Sequence, residues 1–396
     1  MKSATTTGAA GKDANRVAAR GPELEIALLG LGAVGRALLE ALAPRVPGDG
    51  PGTTVGLRVV AASDSRRQLR DAGGIAATEC RARLAASAEP ADADRLTDWL
   101  LQRARGPAAI CDLTADEGIA RRHAEWLTRG IHVVTANKIA AAAASSEWRA
   151  LRRAATRGSA RYLDSTTVGA GLPVLAVLDR MHAAGDEVRA IRGIFSGSLS
   201  HLAVAIDQGV APSEALREAQ RLGLTEPDPR LDLGGLDVAR KLVIAARHAG
   251  HALCIEAVEV EDLVPPALRP LSLAGFLARV DELDAALAPR IAAARARGRV
   301  LRHVGQVDGH GRAAVALIEV ADDDPLAQVG PGDNCVAISS RRYDASPLVI
   351  RGPGAGPSVT AGGVLADLIS LLPAALPPAA FGDAAMAAAG GAAHAL

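Results

Sequence analysis

The stretch Leu24-Glu25-Ile26-Ala27-Leu28-Leu29-Gly30-Leu31-Gly32-Ala33-Val34-Gly35 runs from a β pattern straight into a glycine loop. Leu24 to Leu29 reads as a strand and Val34 to Leu42 as a helix, so Gly30 to Gly35 is a G-x-G-x-x-G turn between them. The first glycine permits the tight turn, and the second lets the backbone approach a pyrophosphate. The third lets helix and strand pack closely. Free N–H groups at the helix start then face the phosphates. Alone the motif is weak evidence; with a strand before and a helix after, it predicts a dinucleotide-binding unit.

Outward from that turn, short β runs alternate with helical patterns up to about Asp164. Leu57 to Ala62, Ala109 to Leu113 and His132 to Thr135 read as strands, with Arg161-Tyr162-Leu163 a weaker one. Such alternation predicts a parallel sheet with helices on both faces. Asp64 follows the second strand, where an acid bonds a ribose diol and favours NAD(H); Arg66 and Arg67 just after it suit the 2′-phosphate of NADP(H). Both cofactors remain open, with the arginine pair tipping the reading toward NADP(H). The connection from Ala43 to Gly56 is long and rich in Pro and Gly.

The middle of the chain changes character. A helix follows Leu172-Pro173, then a strand from Val188 to Phe195 and several helices through His248. Val300 to Val307, Ala313 to Val320 and Cys335 to Ser339 read as strands, and Val359 to Leu372 as a last helix. The expected fold is therefore α/β: a Rossmann-type doubly wound parallel sheet over 22–165, a mixed α+β domain over 166–345, and a segment 346–374 returning to the first. Residues 1–21 and 375–396 read as a disordered and a low-complexity tail.

The chemistry concentrates in Thr225-Glu226-Pro227-Asp228-Pro229-Arg230 and Gly235-Leu236-Asp237-Val238-Ala239-Arg240-Lys241. The prolines keep Glu226 and Asp228 on a stiff loop. From Gly235 onward apolar residues recur at helical steps, which puts Asp237 and Lys241 at i and i+4 on one face. On spacing alone such a pair is an ordinary solvated surface pair. Loop carboxylate, helix carboxylate and lysine together are what a polar amino-acid substrate needs.

With 49% hydrophobic but only 2% aromatic residues, the core must be aliphatic. The 44 basic residues balance 44 acidic ones, which gives no electrostatic support for a nucleic-acid or anionic-membrane partner. Cys80, Cys111, Cys254 and Cys335 are scattered, with no C-x-x-C pair, pointing to a reducing cytoplasm rather than a zinc or redox site. The N-terminal stretch has no apolar signal segment, and no apolar run is long enough to span a membrane.

Together these motifs resemble homoserine dehydrogenase from about Leu24 to Leu372. Beyond the glycine loop and the two acidic segments, the resemblance lies in Thr135-Ala136-Asn137-Lys138, Thr167-Val168-Gly169-Ala170-Gly171-Leu172-Pro173 and Gly193-Ile194-Phe195-Ser196-Gly197-Ser198-Leu199-Ser200. It extends to Gly352-Pro353-Gly354-Ala355-Gly356 and Val359-Thr360-Ala361-Gly362-Gly363-Val364-Leu365-Ala366-Asp367. It implies NAD(P)H-linked reduction of L-aspartate 4-semialdehyde to L-homoserine, and the reverse oxidation, in threonine and methionine biosynthesis. It also implies a substrate-binding and dimerisation domain and a cytoplasmic homodimer. The chain ends soon after the last family helix, so no C-terminal ACT domain is expected.

Residue by residue, the resemblance implies Lys241 as catalytic lysine with Asp237 as its partner, and Lys138 near the substrate with a share in the acid role. Glu226 and Asp232 would hold the substrate ammonium. The cofactor would meet Gly30, Gly32, Ala33, Val34 and Gly35, the Asp64–Arg66–Arg67 turn, Thr114, Asn137, Lys138, and Gly354 with Gly356. The backbone of Val168, Ala170 and Leu172 would hold a monovalent cation such as Na+, although the turn reads equally as an ordinary start to a helix. Relatives often carry an acid where this chain has Ser165, with Asp164 the neighbouring substitute; Leu231 and Gly234 also depart from the family pattern. These departures leave room for a paralogue acting on another short amino-acid semialdehyde or hydroxy acid. A non-catalytic NAD(P)-binding regulatory protein is the rival outside enzymology.

Overall fold

A strand apolar on both faces must be covered on both, and β1 (Leu24–Leu29) is buried along its whole length. Leu24, Ile26 and Leu28 enter one core cluster, while Ala27 and Leu29 enter another. The structure is a computed structural model describing residues 24–43, 56–103 and 106–372. Both expected tails and most of the Ala43–Gly56 connection lie outside the described residues.

β1 is flanked by β2 (Leu57–Ser63) and β4 (Ala108–Asp112) in the sheet order β3-β2-β1-β4-β5-β6. β5 (His132–Thr135) and β6 (Tyr162–Leu163) continue it in parallel, and β3 (Gln68–Arg70) adds an antiparallel edge. The chain crosses from one side of β1 to the other between β2 and β4, so the switch point lies at the carboxyl ends of β1 and β4. Ligands bind at that place in open α/β sheets. Gly30 follows β1 there, and Thr114 follows β4 two residues beyond its end.

The second sheet runs β12-β11-β7-β9-β10-β8. It comprises β7 (Val188–Ile194), β8 (Val258–Val260), β9 (Arg299–Val307), β10 (Ala313–Ala321), β11 (Asp333–Ser340) and β12 (Leu348–Pro353). All neighbours are antiparallel except β10 and β8. The helix Leu236–His248 lies between the two sheets, since one cluster runs from Ile110 and Val133 through Leu242 and Val243 to Val307 and Val336. Its interior position explains why its later turns are apolar nearly all round.

The helix Pro357–Ile369 returns to the first sheet and adds Ala361, Val364 and Leu368 to the cluster of Leu24, Ile26 and Leu38. It lies close against the turn that follows β6: a Cβ on Gly363 would sit 2.5 Å from Thr166 Cγ2. The core is mostly aliphatic, as composition requires, but Trp126, Phe195 and Phe276 are among its largest fully buried side chains.

Candidate active site

The glycine loop is shaped by what its side chains would hit. Gly30 has φ +91°, and a Cβ there would lie 2.9 Å from Thr114 Cγ2. A Cβ on Gly35 would lie 2.3 Å from Gly30 O, whereas nothing stands within 4 Å of that position on Gly32. The first and third glycines are thus required by contact, and the second faces open space. Gly32 N-caps the helix Ala33–Leu42 without any side-chain bond to its first N–H groups. Open space over free N–H donors fits a pyrophosphate.

Below this loop, Asp112 at the end of β4 is fully buried and takes several donors. Its Oδ1 accepts from Thr114 N at 2.9 Å and Thr114 Oγ1 at 2.7 Å. Its Oδ2 lies 2.9 Å from His123 Nε2 and accepts from Asn137 Nδ2 at 3.0 Å. Asp112 therefore links Thr114, which lies beside Gly30, to the Thr-Ala-Asn-Lys turn, a connection that no motif in the sequence shows. Beyond β2, Asp64 Oδ1 accepts from the backbone of Arg66 at 2.7 Å and of Arg67 at 2.8 Å, which folds the turn. The Arg67 guanidinium is tied back to Ala85 O. Arg66 is exposed, with no side-chain partner among the described residues.

Lys138, Asp237 and Lys241 come together although Lys138 belongs to a different part of the chain. Gly235, left-handed at φ +70°, starts the helix that carries Asp237 and Lys241. A Cβ at Gly235 would lie 3.1 Å from Val260 Cγ1 and 3.3 Å from Val315 Cγ1, so this turn needs glycine for conformation and room. Lys241 Nζ is 2.8 Å from Asp237 Oδ2 and donates to Phe195 O at 2.7 Å. Lys138 Nζ is 3.4 Å from Asp237 Oδ1. Partial burial pushes the Asp237 carboxyl up, but the Lys241 and Lys138 ammonium groups outweigh it and bring it down to about 2. The two ammonium groups therefore favour the charged form of Asp237.

Glu226 and Asp232 behave differently from each other. Asp232 Oδ1 accepts from Ser198 Oγ at 2.7 Å and its Oδ2 from Glu226 N at 2.9 Å. Asp232 thus holds the acidic loop against the Ser196–Ser198 turn. The Glu226 side chain is exposed and carries no protein partner among the described residues. Asp228 is drawn into a pair with Arg230 at 2.6 Å, whose guanidinium also donates to Leu271 O at 2.6 Å. Leu231 is 62% exposed, so its side chain is not part of the core.

At the loop after β6, Gly169 and Ala170 are left-handed at φ +76° and +54°. Leu172 O already accepts from Val174 N at 2.8 Å. Asp164 does not offer its carboxylate to this turn: it is buried and lies 3.2 Å from His248 Nε2, while His248 Nδ1 lies 2.8 Å from Asp179. Although burial opposes its charge, these two carboxylates hold the His248 imidazolium up to about 10. Ser165 Oγ donates to Asp367 Oδ1 at 2.7 Å, and Asp367 Oδ2 is buried without a partner. Burial pushes the Asp367 carboxyl up to about 6.

Gly354 lies where the second sheet meets the helix Pro357–Ile369, and a Cβ there would fall 1.9 Å from Asn334 Cγ. Gly356, at φ +122°, N-caps that helix. Among the described residues, no group of three or more His, Cys, Asp or Glu side chains is placed to hold a metal ion. None of the described helices is long and apolar enough to cross a membrane.

Comparison with known proteins relates the chain to a family. Residues 173–369 match the homoserine dehydrogenase family model, and residues 30–163 match that of the homoserine dehydrogenase NAD-binding domain. The homoserine dehydrogenase of Emericella nidulans is 40% identical over 284 residues, covering 69% of this chain and 77% of that one. Bifunctional aspartokinase/homoserine dehydrogenase 2 of Escherichia coli is 41% identical over 305 residues, covering 77% of this chain and 38% of that one. The chain thus spans less than half the length of such bifunctional relatives. A solved structure of a Candida auris protein of unknown function is similar at a TM-score of 0.81 and 33% identity, covering 88% of this chain and 98% of that one. The chain belongs to the homoserine dehydrogenase family.

Proposed function

We propose that this chain reduces L-aspartate 4-semialdehyde to L-homoserine with NADPH or NADH, and catalyses the reverse oxidation. The observation that carries the proposal is the state of Lys241. An ammonium has three N–H donors. One of those on Lys241 goes to Asp237 and one to Phe195 O, which leaves the third for a substrate oxygen.

When bound, a reduced nicotinamide would supply a hydride to the aldehyde carbon. As the carbonyl π pair moves onto oxygen, Lys241 stabilises the growing negative charge and then gives up a proton to form the alcohol. Asp237 keeps its charge, holds Lys241 in place and attracts Lys138 to the same spot. The exposed Glu226 carboxylate takes the substrate ammonium, and Asp232 fixes the loop that presents it. Gly30, Gly32 and the N–H groups of Ala33 and Val34 would hold the pyrophosphate, with Thr114, Asn137, Gly354 and Gly356 available to the rest of the cofactor.

NADP(H) is the favoured cofactor, with Arg66 rather than Arg67 reading the 2′-phosphate, since Arg67 is engaged with Ala85 O. A monovalent cation at the Val168, Ala170 and Leu172 carbonyls would take its charge balance from Asp367, because Asp164 is committed to His248. The same reading assigns 22–165 with 346–374 to the cofactor and 166–345 to substrate and dimerisation. It describes a cytoplasmic homodimer serving threonine and methionine biosynthesis.

Lys241→Ala tests the proposal. Turnover should fall by about 10²–10⁴-fold, the usual worth of a positioned proton donor, while NADPH binding, read by fluorescence, persists. Near wild-type turnover in that variant would remove Lys241 from the mechanism.

A further inference from the structure

Two lysines meet one carboxylate, and they stand on helices of very different strength. Lys241 and Asp237 share the thirteen-residue helix Leu236–His248. Lys138 opens the five-residue helix Lys138–Ala142, far too short to hold itself in water. Its placement must come from what grips it. At its start, Asn137 Oδ1 accepts from Ile139 N at 3.1 Å, and Asn137 Nδ2 donates to Asp112 Oδ2 and Asp116 O, each at 3.0 Å.

At its far end the grip comes from the other helix. The last carbonyls of a helix have no partner within it. Arg247, on the Lys241 helix, donates from Nη1 to Ala141 O at 2.6 Å and from Nη2 to Ala143 O at 2.7 Å. Its Nε donates to Leu253 O at 3.0 Å, and its guanidinium lies 5.7 Å from the Trp148 ring centroid. Arg247 is only 8% exposed. Charge-assisted bonds in a rigid planar fork lock geometry better than a single flexible donor.

We propose that Arg247 is a positioning residue for the reaction: by tying the Lys138 helix to the Lys241 helix, it sets the approach of Lys138 to Asp237. This rests on the functional reading above. The Lys138–Asp237 contact, at 3.4 Å, is already longer than the 2.8 Å of Lys241–Asp237, so a small displacement breaks it first. A misplacement of about 1 Å can cost on the order of 10²-fold in rate.

Arg302 provides the comparison that separates positioning from mere stability. It is 3% exposed and donates to Leu326 O at 3.1 Å, Ala327 O at 2.8 Å and Asp207 at 2.7 Å. None of these bonds reaches either lysine-bearing helix. The experiment compares Arg247→Met, Arg247→Lys and Arg302→Met with wild type in kcat, KM, NADPH affinity and hydrogen exchange over residues 138–143.

We expect Arg247→Met to lose kcat by about 10–100-fold with NADPH affinity nearly unchanged, and exchange over 138–143 to accelerate. Arg247→Lys should restore part of both. Arg302→Met should lose stability but keep kcat per folded molecule and leave that exchange slow. Wild-type kcat in folded Arg247→Met or Arg247→Lys, or an equal loss of kcat in Arg302→Met, would overturn the proposal. If Arg247→Met fails to fold, Arg247→Lys decides alone. Should wild type itself show no turnover of the semialdehyde, the functional reading has failed, and exchange over 138–143 still decides whether Arg247 fixes the short helix.

Discussion

In His248→Gln a buried imidazolium is replaced by a neutral side chain that still reaches its neighbours. His248 is 6% exposed and sits between Asp164 and Asp179. Its proton is held up to about 10 in the folded protein, against 6.5 for the free side chain. A raised pKa means the folded state binds the proton more tightly, so the stabilisation is complete below about 6.5 and disappears as pH rises through about 10. Each pH unit in that window is worth about 1.4 kcal/mol, which sets an upper limit of about 5 kcal/mol. Asp179 is 55% exposed, so water screens part of the attraction. We therefore expect about 2–3 kcal/mol of pH-dependent stability from this group. Urea unfolding of wild type and His248→Gln at intervals from pH 6 to about 10.5 reads it directly. The stability difference should be largest near pH 6 and shrink as pH rises. A difference that stays flat, or grows with pH, would refute a charged His248.

Other outcomes follow from the same geometry. Arg66→Ala should raise the KM for NADPH by about tenfold or more, the scale of one lost charge-assisted contact, and leave NADH unchanged. Parallel kinetics with both cofactors check this, and Arg67→Ala should show a smaller discrimination. Gly354→Ala drives a methyl group into the Asn334 amide, so thermal unfolding should show a loss of about 1–3 kcal/mol. Burial pushes the thiols of Cys80 and Cys335 up to about 11 and that of Cys111 higher still. Titration of the native protein with a thiol reagent should therefore find Cys254, which is half-buried, reacting well before the other three.

What the sequence shows of this fold depends on how local each cause is. β1 reads clearly because five of its six residues are apolar, and the Asp237–Lys241 pair because its spacing is one helical turn. β12 escapes that reading: only alternate residues are partly buried, and it ends in the Gly-Pro of a motif that reads as a turn. β3 is three residues long and β8 likewise, too short for any period to show. The last helix begins at Pro357, two residues before the apolar pattern, because proline suits its first turn.

The site divides along the same line. Glycines 30 and 35 announce themselves through a motif, but Asp112 does not: its donors come from Thr114, His123 and Asn137, gathered by the sheet. His248 and Asp164 are 84 residues apart, and Arg247 reaches a carbonyl 106 residues away. No spacing rule covers such pairs. A buried polar side chain needs a partner, but sequence alone does not say which. That is also why Asp164, adjacent to Ser165 in the chain, reads as a substitute ligand there and turns out to be bound to His248.

The most direct test of the central claim is the loss of NADPH absorbance when L-aspartate 4-semialdehyde is added to the purified protein, with the product identified. NADPH oxidation with one homoserine formed for each NADPH consumed is expected, slowed about 10²–10⁴-fold in Lys241→Ala. A folded protein that binds NADPH yet leaves it unoxidised, or that consumes it without forming homoserine, would refute the proposed reaction.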